Sequence, residues 1–188
     1  LAKKGKTMQG RRLPDVIFKT RVHDATVEGP NPYRWQDETT ASLFGKRRVV
    51  VFSLPGAFTP TCSSKQCPAF ELSYDTIRSL GVDEVYCVSV NDAFVMFQWG
   101  KSMNIKNIKL IPDGSGTFTR RIGMLVNKDH VGFGYRSWRY AMVVNDGVIE
   151  KWFEEPGIND SGIDSDPYVV TDPDTMVDYL RRAAKKAG

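Results

Sequence analysis

The feature that most constrains this chain is a pair of short, unbroken runs of strand-forming residues. Val49-Val50-Val51-Phe52 is the first and ends at Pro55-Gly56; Val85 to Val90 (VYCVSV) is the second. Runs this short, with no polar residue on alternate positions, fit strands buried on both faces. Strands of that kind need apolar cover above and below the sheet, so the chain must supply helices for both sides.

The segments between them read as those helices. Thr59 suits an N-cap and Pro60 the first helical position, where its missing N–H costs nothing. Phe70, Tyr74 and Ile77 recur at helical spacing, Gly81 closes the helix, and Pro68 inside it predicts a kink. Asn91 or Asp92 caps a second helix in which Val95, Trp99 and Met103 share a face. Ile108 to Ile111 is a third strand, ended by Pro112-Asp113-Gly114. Tyr140 to Phe153 reads as a hairpin turning at Asn145-Asp146-Gly147, and Pro173, behind Thr171 and Asp172, opens a terminal helix with Met176 and Leu180 on one face. Val16, Phe18 and Val22 lie in a short extended stretch, whereas 24–40, with Gly29, Pro30, Asn31 and Pro32, reads as a loop. Strands alternating with helices and then a hairpin give an α/β fold with a mixed sheet flanked by helices on both faces. A thioredoxin-like sandwich is the natural candidate.

With 188 residues the chain suits one domain. Residues 1–12, small, basic and polar, are read as a flexible N-terminal extension, and 13–188 as the domain. The start at Leu1, with Met8 inside, fits a scar, an upstream translated stretch or a transit-peptide remnant. The net charge of +4 is spread in small pairs such as Arg47-Arg48 and Arg181-Arg182. That is too weak a footprint for nucleic-acid binding. No apolar run approaches the roughly 20 residues needed to span a bilayer. The three cysteines, Cys62, Cys67 and Cys87, make neither a disulfide framework nor a C-x-x-C pair. His23 and His130 stand far from them, so no metal site or other cofactor is expected.

Cys62 is the informative residue. With Thr59 as cap it falls in the first helical turn, where unpaired N–H groups and the helix dipole favour a negative charge. The thiolate is the nucleophilic form of cysteine. Thr59 offers a hydroxyl on the same turn. The competing explanation is a small buried core cysteine.

Pro55-Gly56-Ala57-Phe58-Thr59-Pro60-Thr61-Cys62 resembles the P-x-x-x-T-x-x-C signature of the peroxiredoxins, and PGAFTPTCS resembles their type II, or peroxiredoxin-5, branch. Val88 to Val95 (VSVNDAFV) and Arg136-Ser137-Trp138-Arg139-Tyr140 are similar to two further segments of that branch. The resemblance runs from about Leu13 to the final helix. It implies a thioredoxin-like fold and a thiol-dependent peroxidase acting on hydrogen peroxide and small alkyl hydroperoxides. Cys62 would be the peroxidatic thiolate, oxidised to a sulfenic acid. Thr59 would hold the peroxide in line, Arg139 would stabilise the thiolate and the leaving oxygen, and Pro55 would shield the pocket from water.

Arg139 precedes the apolar strand 140–144 and on strict alternation shares a face with Ala141 and Val143. If that face is buried, the guanidinium needs an anionic partner. Arg136 is its competitor for the role. Cys87, inside VYCVSV, reads as a core cysteine, and type II members often carry one there without using it as the main nucleophile. Cys67, five residues after Cys62, matches the resolving position of another branch, the bacterioferritin-comigratory or Q type. In an intact α-helix, however, five residues rise about 7.5 Å and turn to the far side, too far for a disulfide.

No cysteine follows Cys87, although many type II members carry a resolving cysteine in that third of the chain. Recycling by an external thiol, glutathione with glutaredoxin, is therefore expected. A Cys62–Cys67 disulfide reduced by thioredoxin, or a resolving thiol from another protein, are the alternatives. A peroxide sensor passing oxidation to client proteins would use the same thiol. A binding module would need none of the Thr59, Cys62 and Arg139 set. The resemblance also implies a homodimer, and a reducing compartment, cytoplasmic or mitochondrial rather than secreted.

Overall fold

A computed structural model of the chain describes residues 7–163 and 165–188. Its centre is a five-stranded mixed sheet in the order β5-β4-β3-β8-β9. The strands are β3 (Arg48–Ser53), β4 (Glu84–Ser89), β5 (Lys109–Pro112), β8 (Tyr140–Asn145) and β9 (Val148–Glu154). β3, β4 and β5 are mutually parallel, whereas β8 runs antiparallel to β3 and to β9. The two apolar runs are neighbouring central strands, buried on both faces as their composition requires.

Strict side-chain alternation divides the interior into two cores. Val49 and Val51 of β3, Tyr86 and Val88 of β4, and Tyr140, Met142 and Val144 of β8 face one side. Leu43 and Phe44 of α1 (Thr40–Phe44) and Phe118 of α5 (Thr117–Arg121) cover them. Val50 and Phe52, Val85 and Cys87, and Ala141 and Val143 face the other side. There they meet α2 (Cys67–Leu72), α3 (Tyr74–Ser79), α4 (Ala93–Ser102) and α6 (Pro173–Ala187). The stack of Phe52 on Phe70, centroids 4.1 Å apart and nearly parallel, fixes α2 against β3. Asp92 caps α4 by accepting from the Phe94 and Val95 N–H groups, and Asp172 caps α6 by accepting from Thr175. Asp146 and Gly147, both at positive φ, make the tight β8–β9 turn.

Three local expectations need correction. Segment 24–40 is a loop only as far as residue 32. Residues Tyr33–Thr39 form β2, paired antiparallel along its whole length with β1 (Ile17–His23). Its charged and polar residues hid it, because this two-stranded ribbon lies outside the central sheet and needs no continuous apolar face. The Cys62 helix is not one kinked rod. It starts at Pro60, widens into a π-turn at Cys62–Gln66, and breaks again at Ser73 between α2 and α3. Pro68 lacks an N–H and its ring crowds the carbonyl four residues back, and one wide turn relieves both without a sharp bend. Residues 8–12, assigned by the sequence to the extension, are tied to the hairpin instead. The Gly10 N–H donates to Ile149, the Ile149 N–H donates to Arg11, and Met8 packs on the core. Residues 1–6 of that extension lie outside the described residues. The region between β5 and β8 also holds a small antiparallel pair, β6 (Leu125–Asn127) and β7 (Tyr135–Ser137). Among the described residues no helix is long and apolar enough to cross a membrane.

Candidate active site

Cys62 lies at the end of the first helical turn and is fully buried. The preceding loop is held by backbone and side-chain bonds that its sequence makes possible. The Ala57 N–H donates to Asn91 Oδ1 at 2.9 Å, and the Ser89 hydroxyl donates to the same oxygen. The Thr59 carbonyl accepts the first helical bond, from the Ser63 N–H, so Thr59 holds the cap position by its backbone. Its hydroxyl turns back and donates to the Gly56 carbonyl at 2.7 Å instead of capping the helix. A Cβ on Gly56 would sit 2.3 Å from Arg136 Nη1, so a larger residue there would displace that guanidinium. Trp99 Nε1 donates to the Ser63 hydroxyl and so ties α4 to the turn that carries Cys62.

Arg139 reaches this site from the residue just before β8, on the Ala141 and Val143 side of the sheet, as strand alternation requires. It is 2% exposed, and its Nη1 lies 3.6 Å from Cys62 Sγ. Nη1 also donates to Gln66 Oε1, and Nη2 pairs with Asp166 Oδ1. The Tyr168 ring stacks near the guanidinium, 5.7 Å from its carbon. Among the described residues Arg139 Nε has no hydrogen-bond partner. Burial works against the Arg139 charge, but the Cys62 sulfur and Asp166 outweigh it and raise its basicity above the ordinary guanidinium value. The sequence reading required an anionic partner for a buried Arg139; the structure gives it two candidates, the sulfur and a carboxylate.

Arg136, the alternative, lies nearby in a different role. Its Nη1 donates to the Pro55 carbonyl at 3.4 Å and its Nε to the Phe133 carbonyl. Burial lowers its basicity, partly offset by Cys62, so it too lies within electrostatic reach of the sulfur. The structure therefore brings Pro55, Thr59, Cys62 and both arginines together, with Arg139 the one within hydrogen-bond distance of Sγ.

Sequence reasoning missed the residues that hold Arg139 in place. Gln66, buried one turn after Cys62, accepts from Arg139 and donates to the Thr171 carbonyl. Asp166 and Tyr168 belong to the polar segment between β9 and α6. Glu155, wholly buried at the end of β9, anchors that loop: its carboxylate accepts from the Val169 and Val170 N–H groups. The spacing of Gln66 from Cys62 is a helical same-face signal that was available. Nothing local marks Asp166 or Glu155.

The other two cysteines are also fully buried. The π-turn alters the geometric objection to Cys67. Its closing bond runs from the Cys67 N–H to the Cys62 carbonyl. In an α-helix residues joined by such a bond lie one above the other on one face, and here that relation passes to Cys62 and Cys67. Cys67 and Cys87 lie in the same core cluster. Burial, and next the neighbouring Cys67 thiol, push the Cys87 thiol well above the ordinary thiol range.

Comparison with known proteins agrees with this architecture. The Redoxin family model matches residues 9–166. The chain is 57% identical to peroxiredoxin sll1621 of Synechocystis sp. over 176 residues, covering 94% of this chain and 93% of that protein. Among solved structures it resembles the Plasmodium falciparum antioxidant protein, a 1-Cys peroxiredoxin, with a TM-score of 0.85 and 33% identity over 93% of this chain and 99% of the other. It also resembles reduced Prx3 of Vibrio vulnificus in complex with H2O2, with a TM-score of 0.79 and 30% identity over 95% and 98% of the two chains. A thioredoxin-like mixed sheet, a Redoxin match over most of the chain and relatives of this identity leave one assignment: the chain belongs to the peroxiredoxin family, whose members are thiol-dependent peroxidases.

Proposed function

We propose that the enzyme reduces hydrogen peroxide and small alkyl hydroperoxides through Cys62, with Arg139, Thr59 and Pro55 as the groups around the reacting atoms. The observation that carries this reading is Arg139 Nη1 at 3.6 Å from Cys62 Sγ, in a site where both side chains are buried. The guanidinium offers a fixed positive charge to the Cys62 thiolate, the nucleophilic form of cysteine. That thiolate attacks the nearer oxygen of the hydroperoxide, the O–O bond breaks, and the far oxygen leaves with a proton as water or alcohol. Cys62 is left as a sulfenic acid. Because the Thr59 hydroxyl already donates to Gly56, its oxygen presents lone pairs that can accept the O–H of the peroxide and hold it in line. Arg139 Nε, without a partner among the described residues, is a donor for the leaving oxygen. Pro55 covers the sulfur from water while its carbonyl holds Arg136.

An external thiol, glutathione with glutaredoxin, returns the sulfenic acid to the thiol. The absence of any cysteine after Cys87 supports this route, as does the likeness to a 1-Cys peroxiredoxin. A second reading, a Cys62–Cys67 disulfide reduced by thioredoxin, is favoured by the π-turn bond between those residues. The enzyme works as a homodimer in a reducing compartment, cytoplasmic or mitochondrial. Exposed Phe58, before Cys62, and the exposed pair Trp35 and Phe94 are apolar groups that a second copy would cover.

Peroxide consumption coupled to glutathione and glutaredoxin, then to thioredoxin and its reductase, tests the proposal. Turnover with the first couple, unchanged in Cys67→Ser, is expected. Turnover with thioredoxin alone, lost in Cys67→Ser, would establish the second reading. Fast oxidation of Cys62 with slow turnover in both couples would instead favour a sensor that passes oxidation to client proteins. A protein that consumes no peroxide with any thiol contradicts the whole reading.

A further inference from the structure

The bonds that hold the Arg139 guanidinium do not constrain it equally. Nη1 donates both to Cys62 Sγ, 3.6 Å away, and to Gln66 Oε1, so these two acceptors act on a single nitrogen. The sulfur contact is long, and the pair fixes the place of Nη1 better than the tilt of the plane around it. Asp166 takes its bond from the other terminal nitrogen, Nη2. A rigid planar fork held at two of its nitrogens keeps one orientation, and Nε is then aimed by the other two. The segment that carries Asp166 is itself held in place. Tyr168, two residues on, sets its ring 5.7 Å from the guanidinium carbon. Asp166 stands at φ 51°, in the left-handed region, directly before Pro167, where an extended backbone is preferred. A residue keeps such a conformation where its surroundings over-determine it. Glu155 supplies that constraint. Its N–H donates to the Arg139 carbonyl at 3.1 Å, and its buried carboxylate accepts from the Val169 and Val170 N–H groups. The backbone of Arg139 and the loop that holds its side chain thus hang on one residue.

We propose that Asp166 is a positioning residue for the peroxide step: it sets the plane of the Arg139 guanidinium so that Nη1 meets Cys62 and Nε meets the leaving oxygen. This rests on the reading of Cys62 as the residue that meets the peroxide. Asp166 acts through Arg139, and the part of the reaction it governs is the breaking of the O–O bond, where charge develops on the leaving oxygen. A misaimed donor loses that stabilisation while the sulfur stays where it is. A reagent that meets the same sulfur but has no O–O bond to break is therefore insensitive to Asp166. The side chain of Asp166 is 44% exposed, so shortening it removes the bond to Nη2 without opening a cavity in the core.

The test compares two reactions of Cys62 in the reduced protein: oxidation by hydrogen peroxide, by stopped flow, and alkylation by iodoacetamide, by peptide mass. Asp166→Ala should slow the peroxide reaction about 10- to 100-fold and change the alkylation rate by less than about threefold. Asp166→Asn, which keeps an oxygen acceptor in the same place, should recover most of the peroxide rate. Asp160→Asn is the control for loop order, since Asp160 lies on the same loop and accepts from the Asn127 N–H instead; it should react like wild type. The wild-type protein gives one reading that needs no variant: the two η nitrogens of Arg139 should show separate NMR signals, because a fork held at both cannot rotate. An unchanged peroxide rate in Asp166→Ala overturns the proposal, as does an equal loss in peroxide reaction and alkylation. A loss in Asp160→Asn as large as in Asp166→Ala, or a single averaged η-nitrogen signal in wild type, overturns it too. If peroxide leaves Cys62 of the wild-type protein reduced, the peroxidase reading fails, a result separate from all of these.

Discussion

The two faces of the central sheet are built from the same strands and do opposite work. On one face Val49, Val51, Tyr86, Val88 and Met142 meet the apolar side chains of α1 and α5, and Tyr86 resolves its polar tip by donating to the Leu43 carbonyl. On the other, the apolar packing of Phe52, Phe70 and Trp99 is interrupted by three cysteines, Gln66 and a buried arginine. A guanidinium inside a protein is costly unless every side of it is compensated. Cys62, Gln66 and Asp166 compensate Arg139, and the loop anchored by Glu155 supplies one of them. The first face holds the fold, and the second spends part of its packing on a charged site.

Breaking the second face at its charge should have the largest effect. Arg139→Met removes the donor nearest Cys62 and should slow the reaction with peroxide by about 10²–10³, or ~3–4 kcal/mol. Arg139→Lys should recover little of this, because an ammonium cannot serve the sulfur, Gln66 and Asp166 with one planar fork. Stopped-flow peroxide kinetics under matched folding conditions read both variants. The first face should respond the other way. Met142→Ala should cost about 3 kcal/mol in chemical denaturation by leaving a cavity, with the peroxide rate constant nearly unchanged. A large rate loss there would erase the distinction between the faces.

Glu155→Gln weakens the anchor of the Asp166 loop and should cost about 2 kcal/mol in stability while raising the proteolytic sensitivity of residues 156–170. The smallest effect lies far from the cysteines. Glu150 takes two bonds from Arg48 and one from Tyr179, joining β3, β9 and α6. Burial raises its pKa, but the Arg48 and Tyr179 bonds outweigh that and hold its carboxyl below the usual range. Its contribution is present above the unfolded-state value near 4.3 and lost as pH falls through the lower folded value. Glu150→Gln should therefore cost about 1 kcal/mol at neutral pH and progressively less in acid, read by denaturation at several pH values.

The contrast between the faces also explains what the sequence disclosed. VVVF and VYCVSV are legible because a strand buried on both sides must be apolar throughout. The Thr59-Pro60 helix start is legible because backbone chemistry restricts which residues stand there. Alternation places Arg139 on the face of Ala141 and Val143, which in the structure is the Cys62 side. β2 was not legible, since a ribbon outside the sheet tolerates Arg34, Gln36 and Glu38. Nor was the π-turn, which answers a clash between Pro68 and a carbonyl that appears only in three dimensions. Asp166 and Glu155 act on residues 27 and 14 positions away, and no local pattern records such a partner.

The central claim is that chemistry belongs to Cys62 beside Arg139, and the most direct test is the initial rate of hydrogen peroxide consumption by wild type, Cys62→Ser and Cys87→Ser, with glutathione and glutaredoxin in excess. The account predicts loss of all activity in Cys62→Ser and a rate in Cys87→Ser close to that of wild type. Peroxide consumption that survives in Cys62→Ser, or that disappears only in Cys87→Ser, would contradict it.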